Sequence, residues 1–364
     1  DMGVDGFRED VITFISKRQG LPNGLPIPAA CGMEHYMDGP NVHRYLREFR
    51  EVLNEYDCFV VGEAPMMNEK NALKYIKEGP KQELDMMFHF EHMEADCLFT
   101  DVFQKPFDLL KLKKAFTKWQ DALHGKAWNA LYLENHDHPR IISRYGSEEY
   151  RVVSGKMLAN CYMLQRGTPF IYQGQEIGML NINLPDISEY QDVQTVNNLR
   201  TLRMLGMSQR KAEQRISRTT RGNARTPVQW DATANAGFTT GTPWMPVNPN
   251  YKTINAQAEV LKRDSIFNHY RKLIAFRKKH PVAIHGDYKE HYAESKELYV
   301  YERNLDGKRL LVICSFTEKP VGFWAPEGFD LTKGKAVLCN YPDNQIHGNG
   351  FTTRPYETRV YYFE

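Results

Sequence analysis

Five short apolar runs, each closing on polar or charged residues, constrain this chain of 364 residues more than any other feature. They are "GVDGF" from Gly3, "CFVVGE" over 58–63, "LDMMFHFEH" over 84–92, "WNALYLENHD" over 128–137 and "TPFIYQGQEIG" over 168–178. Between the first two, "NVHRYLREFREVLNEY" repeats Val42, Tyr45, Leu46, Phe49, Val52, Leu53 and Tyr56 at helical spacing. That periodicity predicts a helix with one buried face. Lysine-rich 107–123 and the stretch 150–166 predict two more helices. Strand, helix, strand in repetition implies parallel pairing through right-handed crossovers. The continuous apolar run in "CFVVGE" has the composition of a strand covered on both faces. The fold class is therefore α/β. Five such strands, counted from the first, cannot close an eight-stranded barrel and leave three to be supplied in front.

The texture changes after Pro281. "SIFNHYRKLIAFRKKH" predicts a last long helix, with Ser265 as N-cap and a basic final turn that suits the helix dipole. Beyond it, "ELYVYERNLDGKRLLVICSF" is two alternating runs around "NLDG", a hairpin signal, and "TRVYYFE" adds another strand. This divides the chain into an α/β part over 1–284 and an all-β sandwich over 285–364. The stretch 179–262, too long for a plain loop in a compact domain, must have structure or function of its own.

Charge and cysteine usage narrow the partner. Lys+Arg 47 against Asp+Glu 45 leaves a formal net charge of +2, which gives no electrostatic case for nucleic acid or an anionic membrane. A small neutral ligand fits better. The six cysteines, at 31, 58, 97, 161, 314 and 339, form no C-x-x-C pair. Cys58 and Cys314 lie in apolar runs and read as buried thiols, so a reduced, cytoplasmic setting without zinc is expected. No apolar stretch reaches the ~18 to 20 residues of a membrane span.

Polar residues gather where the predicted strands end. Arg8 and Asp10 follow the first, Glu63 ends the second, and Asn135, His136 and Asp137 end the fourth. In parallel α/β sheets and barrels the carboxyl ends of the strands form the ligand face. Two carboxylates there could act as acid and nucleophile at an acetal carbon, with a third binding hydroxyls. An isolated Arg-x-Asp is usually a structural ion pair, and "NHD" before "HPR" also reads as a turn. Coincidence at three strand ends is the less credible account.

"GVDGFREDV", "VVGEAP" and "LYLENHDHPR" resemble, in order, the second, third and fourth signature regions of the α-amylase superfamily of glycoside hydrolases. "RGNARTPVQWD" and "AGFTTGTPWMPVNPNY" resemble the segment after strand eight in its oligo-1,6-glucosidase, dextran glucosidase and trehalose-6-phosphate hydrolase branch. The resemblance covers essentially the whole sequence. It implies the C-terminal part, strands 4 to 8, of a (β/α)8 TIM barrel followed by an antiparallel all-β C-terminal domain. The first three strand–helix units, the domain inserted after strand three and the first signature region are then absent from this sequence, and any structural calcium site would belong to that N-terminal part.

The same resemblance implies site roles. Asp10 matches the nucleophile and Arg8 the arginine that keeps it ionised. Glu63 matches the general acid/base, Asp137 the carboxylate that holds sugar hydroxyls, His136 its hydrogen-bonding neighbour, and Arg221 the arginine on the terminal glucose. Val11 matches the residue that in this branch accompanies α-1,6 rather than α-1,4 preference. Two positions depart from the pattern. Glu9 replaces an apolar residue, points away from Arg8 and Asp10, and should find a basic partner. Gly222 stands where aspartate is usual, which puts the positioning of Arg221 in question.

The implied activity is a retaining exo-α-glucosidase on short α-1,6-linked gluco-oligosaccharides, a monomer without metal or organic cofactor. Trehalose-6-phosphate hydrolase and an α-1,4-acting α-glucosidase are the nearest alternatives. Against the former, this sequence shows no evident basic cluster beside the motifs to grip a phosphate, and the Arg-Leu-Asp-Arg-Asp stretch expected of a sucrose isomerase is absent. A non-catalytic member used for protein–protein contact would have lost the carboxylates retained here. An inactive fragment is the remaining alternative, because unpaired strands expose apolar edges.

Overall fold

The computed structural model describes residues 3–27, 30–98 and 100–364. Two compact units emerge: residues up to His92 together with Ala115–Leu131, and Met93–Lys114 together with Tyr132–Glu364.

The first unit holds β1 (Gly6–Glu9), α1 (Val42–Asn54), β2 (Phe59–Glu63), α2 (Glu69–Ile76) and β3 (Met86–Phe88). The three strands are parallel in the order β1-β2-β3, with Arg8 opposite Val61 and Glu63 opposite Phe88. β2 is buried from Val60 to Glu63, as its unbroken apolar run implies. Val60, Leu46, Tyr75, Leu84, Met87 and Trp119 share one core. Gly62 sits tightly there: a Cβ would meet Leu84 Cδ1 at 2.6 Å and Ile12 Cγ2 at 2.9 Å, so those side chains would have to shift.

The expected apolar stripe on α1 is only partly buried. Val42, Leu46 and Leu53 enter the core, while Tyr45, Phe49, Val52 and Tyr56 stay exposed on a flank that no element among the described residues covers. Cys58 also departs from expectation. It precedes β2 and is half-buried, whereas Cys314 is fully buried; none of the six cysteines is in a disulfide.

A hairpin of β4 (Cys97–Leu98) and β5 (Thr100–Gln104) follows, which periodicity did not reveal. Next come α3 (Leu109–Leu123), β6 (Ala130–Leu131), α4 (Ile141–Tyr145), α5 (Arg151–Met163) and β7 (Thr168–Pro169). β6 and β7 are far shorter than their apolar runs. Pro169 has no N–H with which to continue a ladder, and the run through Leu133 gives way to a turn at Asn135 that is closed by its own side chain.

The stretch 179–262 has structure of its own: α6 (Val193–Met204), α7 (Gln209–Thr219) and α8 (Ala256–Leu261). Leu184, Ile187, Tyr190, Leu202, Ala212, Ile216 and Met245 build its core. α9 (Ile266–Lys279) is capped as expected, the Ser265 hydroxyl accepting from Asn268 N at 3.0 Å. α10 (Val282–His285) leads into the β part.

That part comprises β8 (Asp287–His291), β9 (Leu298–Leu305), β10 (Lys308–Ser315), β11 (Gly322–Trp324), β12 (Lys335–Ala336), β13 (Gly350–Thr352) and β14 (Thr358–Phe363). Five of these strands form an antiparallel sheet in the order β12-β14-β10-β9-β8, and β11 pairs with β13. Asp306 and Gly307, at φ 51° and 80°, make the tight β9–β10 turn that "NLDG" predicts. Phe323 and Phe351 from the two-stranded ribbon pack with Leu298, Val300, Leu311 and Ile313. Arg303, fully buried on β9, donates to the carbonyls of Leu164, Ala283 and Gly286. It thereby satisfies acceptors left open where α5 and α10 end. Among the described residues no helix is long and apolar enough to cross a membrane.

Candidate active site

Parallel register puts the ends of β1 and β2 side by side, and the polar residues there meet. Arg8 donates from Nη1 to Asp10 Oδ1 and from Nη2 to Glu63 Oε2, each at 2.5 Å. One planar fork reaching both oxygens keeps the two carboxyls closer than the roughly 9.5 Å that bounds carboxyl pairs in glycoside hydrolysis. Their surroundings differ. The Asp10 side chain is 71% exposed and that of Glu63 only 7%. Burial raises the Glu63 pKa, the charge of Arg8 opposes it, a hydrogen bond with Asp10 adds to it, and the net shift is upward. The upward shift suits Glu63 to carrying a proton, and Asp10 is the more open to solvent.

Val11 follows directly. Its backbone is left-handed, at φ 43° and ψ 44°, and its N–H points at Glu63 Oε2 from 3.4 Å. A β-branched residue rarely adopts that conformation.

Glu9 lies on the opposite face of β1, as alternation requires, but it finds no basic partner. Neither carboxylate oxygen has a hydrogen bond among the described residues. The nearby Arg50 is already engaged with the carbonyl of Glu83 and, at 3.1 Å, with Asp85. Burial, opposed only by the charge of Arg50, therefore pushes the Glu9 pKa up to about 7.

In the second unit, the turn after β6 carries a second cluster. Asn135 Oδ1 accepts from Asp137 N and from His138 Nδ1, both at 2.9 Å. Asp137 Oδ1 accepts from Arg221 Nη1 at 3.0 Å and Arg225 Nη2 at 2.7 Å, while His136 Nε2 lies 3.2 Å from Oδ2. Burial works to raise the Asp137 pKa, but the His136 hydrogen bond and the charges of His136, Arg221 and Arg225 outweigh it, so the net shift is downward. Asp137 is an anion at any ordinary pH.

Arg221 has a second carboxylate partner. Its Nε and Nη2 donate to Asp192 Oδ1 at 3.1 and 2.8 Å. Asp192 is also the N-cap of α6, Oδ2 accepting from Thr195 N at 2.9 Å and from the Thr195 hydroxyl at 2.8 Å. Gly222 leaves no room for a side chain, since a Cβ would meet Tyr190 Cδ1 at 2.2 Å.

Arg8, Asp10, Val11 and Glu63 are thus brought together in one unit, and His136, Asp137 and Arg221 in the other. Asp192 and Arg225 were not foreseen. Arg225 stands four residues after Arg221 in a quoted motif, a spacing that could have flagged it, whereas Asp192 in "QDVQT" carries only the signal of a helix cap. Among the described residues no group of three or more His, Cys, Asp and Glu could hold a metal ion.

Residues 1–286 match the family described as alpha amylase, catalytic domain. The chain is 44% identical to the oligo-1,6-glucosidase of Halalkalibacterium halodurans, over 99% of its own length and 65% of that protein. It is 41% identical to the trehalose-6-phosphate hydrolase of Bacillus subtilis, over 99% and 64%. Among solved structures, the trehalose-6-phosphate hydrolase of Bacillus licheniformis superimposes with a TM-score of 0.90 at 42% identity, covering 99% of this chain and 65% of that one. The isomaltulose synthase of Klebsiella sp. LX3 superimposes at 0.91 with 33% identity and the same coverage. The chain spans about 65% of the length of the curated relatives it matches. Its fold is accordingly part of a TIM barrel followed by an antiparallel β-sheet domain.

Proposed function

The chain belongs to the alpha-amylase family, and we propose that within it the full-length protein is a retaining exo-α-glucosidase acting on short α-1,6-linked gluco-oligosaccharides. The observation that carries the proposal is the Arg8 fork, which holds together an exposed Asp10 and a buried Glu63 whose pKa burial raises. Asp10 attacks the anomeric carbon while Glu63 protonates the departing glycosidic oxygen. The C–O bond to the leaving sugar breaks as the bond to Asp10 forms, giving a glycosyl ester. Glu63, now a carboxylate, takes a proton from water, and the resulting attack releases α-glucose and restores both groups. Asp137 and Arg221 hold hydroxyls of the terminal sugar. The α-1,6 preference rests on Val11 and on the 44% identity to an oligo-1,6-glucosidase.

The 41% identity to a trehalose-6-phosphate hydrolase supports a second reading of the substrate with the same chemistry. Both are tested by presenting the full-length protein with isomaltose, maltose and trehalose-6-phosphate and following the product anomer by NMR. Isomaltose should be cleaved with the highest kcat/KM and release α-glucose first. Preference for trehalose-6-phosphate would establish the second reading, and β-glucose as first product would overturn the retaining mechanism.

A further inference from the structure

We propose that Asp192 is the positioning residue of Arg221, fixing the guanidinium that grips the terminal sugar. The proposal rests on the role given to Arg221 above. Asp192 lies 29 residues before it in the chain and takes two of its N–H groups on one oxygen, while a third goes to Asp137. A guanidinium held along two edges has one orientation.

Asp192 is itself held on its other side. It is buried, and its other oxygen is held by the backbone and hydroxyl of Thr195. The Thr195 hydroxyl meets that of Thr220 at 2.5 Å, and Thr220 accepts from Gly222 N at 3.1 Å. A closed ring of bonds therefore runs from the start of α6 back to the residues on either side of Arg221.

No neighbouring residue can take over. Position 222 cannot carry a carboxylate, because the Tyr190 ring fills the space and is anchored through its hydroxyl to Leu184 N and the Ser217 carbonyl. Charge leads to the same conclusion. Arg221 and Arg225 both reach Asp137 Oδ1. Asp192 supplies the second negative charge that balances them, so the cluster suits a neutral sugar. Without it, two cations would compete for one anion and Arg221 would turn fully onto Asp137.

The test is Asp192→Asn in the full-length protein. Asparagine caps a helix as well as aspartate does, so α6 is kept and only the charged anchor is lost. Loss of such an anchor should raise KM for isomaltose, and Kd for glucose by calorimetry, about tenfold or more. The expected change in kcat is smaller, with the melting temperature little changed. In an Arg221→Ala background the substitution should add nothing. If Arg221→Ala weakens binding while Asp192→Asn leaves KM and Kd within about twofold, or if the two effects are independent, Asp192 is only a cap and the proposal is wrong. If Arg221→Ala itself leaves binding unchanged, the role of Arg221 has failed and the proposal falls with it.

Discussion

Glu134 and Arg140 form an ion pair at 2.6 Å in which neither side chain is more than 1% exposed. They stand at the two ends of the turn that presents Asn135, His136 and Asp137. Glu134 also accepts from Ile141 N at 2.9 Å, and Arg140 donates to the Gln173 carbonyl at 2.8 Å. The anionic Asp137 is thus carried on a turn pinned from beneath by a desolvated pair.

Removing one partner of such a pair leaves the other as an uncompensated buried charge. Glu134→Gln should lower unfolding free energy by about 3 to 5 kcal/mol, seen in urea as a lower midpoint with an unchanged slope. Glu134→Leu combined with Arg140→Met should recover much of that loss. A double variant as unstable as the single one would show that the pair's geometry, not its charge balance, sustains the turn.

Local signals and long-range partners differ in how far they were legible. Parallel strands that end at Glu9, just before Asp10, and at Glu63, the Ser265 cap and the Asp306–Gly307 hairpin all follow from patterns within a few residues, and the structure has each of them. The Asp192 bridge to Arg221 and the buried Arg303 depend on partners brought near only by folding. Glu9 was misjudged for a related reason. Alternation gave its direction, but the charges of Arg47 and Arg50 on α1 are drawn instead to Glu83 and Asp85.

That lone carboxyl should make stability depend on pH. Its folded pKa, about 7, lies above the ordinary 4.5, so the folded state retains the proton. Its contribution is fully present below pH ~4.5 and is lost as pH rises through about 7. Glu9→Gln should leave stability little changed near pH 4 and increase it toward pH 8, by at most ~1.4 kcal/mol for each tenfold difference in proton affinity between folded and unfolded chain. Parallel melting curves across that range would mean that Glu9 is ionised in the fold.

Gly222 should be intolerant of any side chain. Gly222→Ala forces the Tyr190 ring out of place, and overpacking of this kind costs ~1 to 3 kcal/mol. Thermal melts should show the loss, and a melting temperature equal to that of the parent would mean that the ring moves freely.

Val11 offers a way to separate backbone from side chain beside Glu63. Its left-handed backbone is one that a β-branched residue holds only under strain, while glycine adopts it readily. Val11→Gly should therefore be neutral or stabilising to melting although it deletes a half-buried side chain. If the branched side chain forms an apolar wall on the leaving-sugar side, Val11→Gly and Val11→Ala should both raise maltose cleavage relative to isomaltose cleavage. Removing the two methyl groups, as Val11→Ala does, should shift discrimination by ~1 to 3 kcal/mol. The measurement is the ratio of the two kcat/KM values in the full-length protein. A ratio unchanged in both variants, with melting temperature preserved, would leave Val11 as packing alone and withdraw the residue-level support for α-1,6 preference.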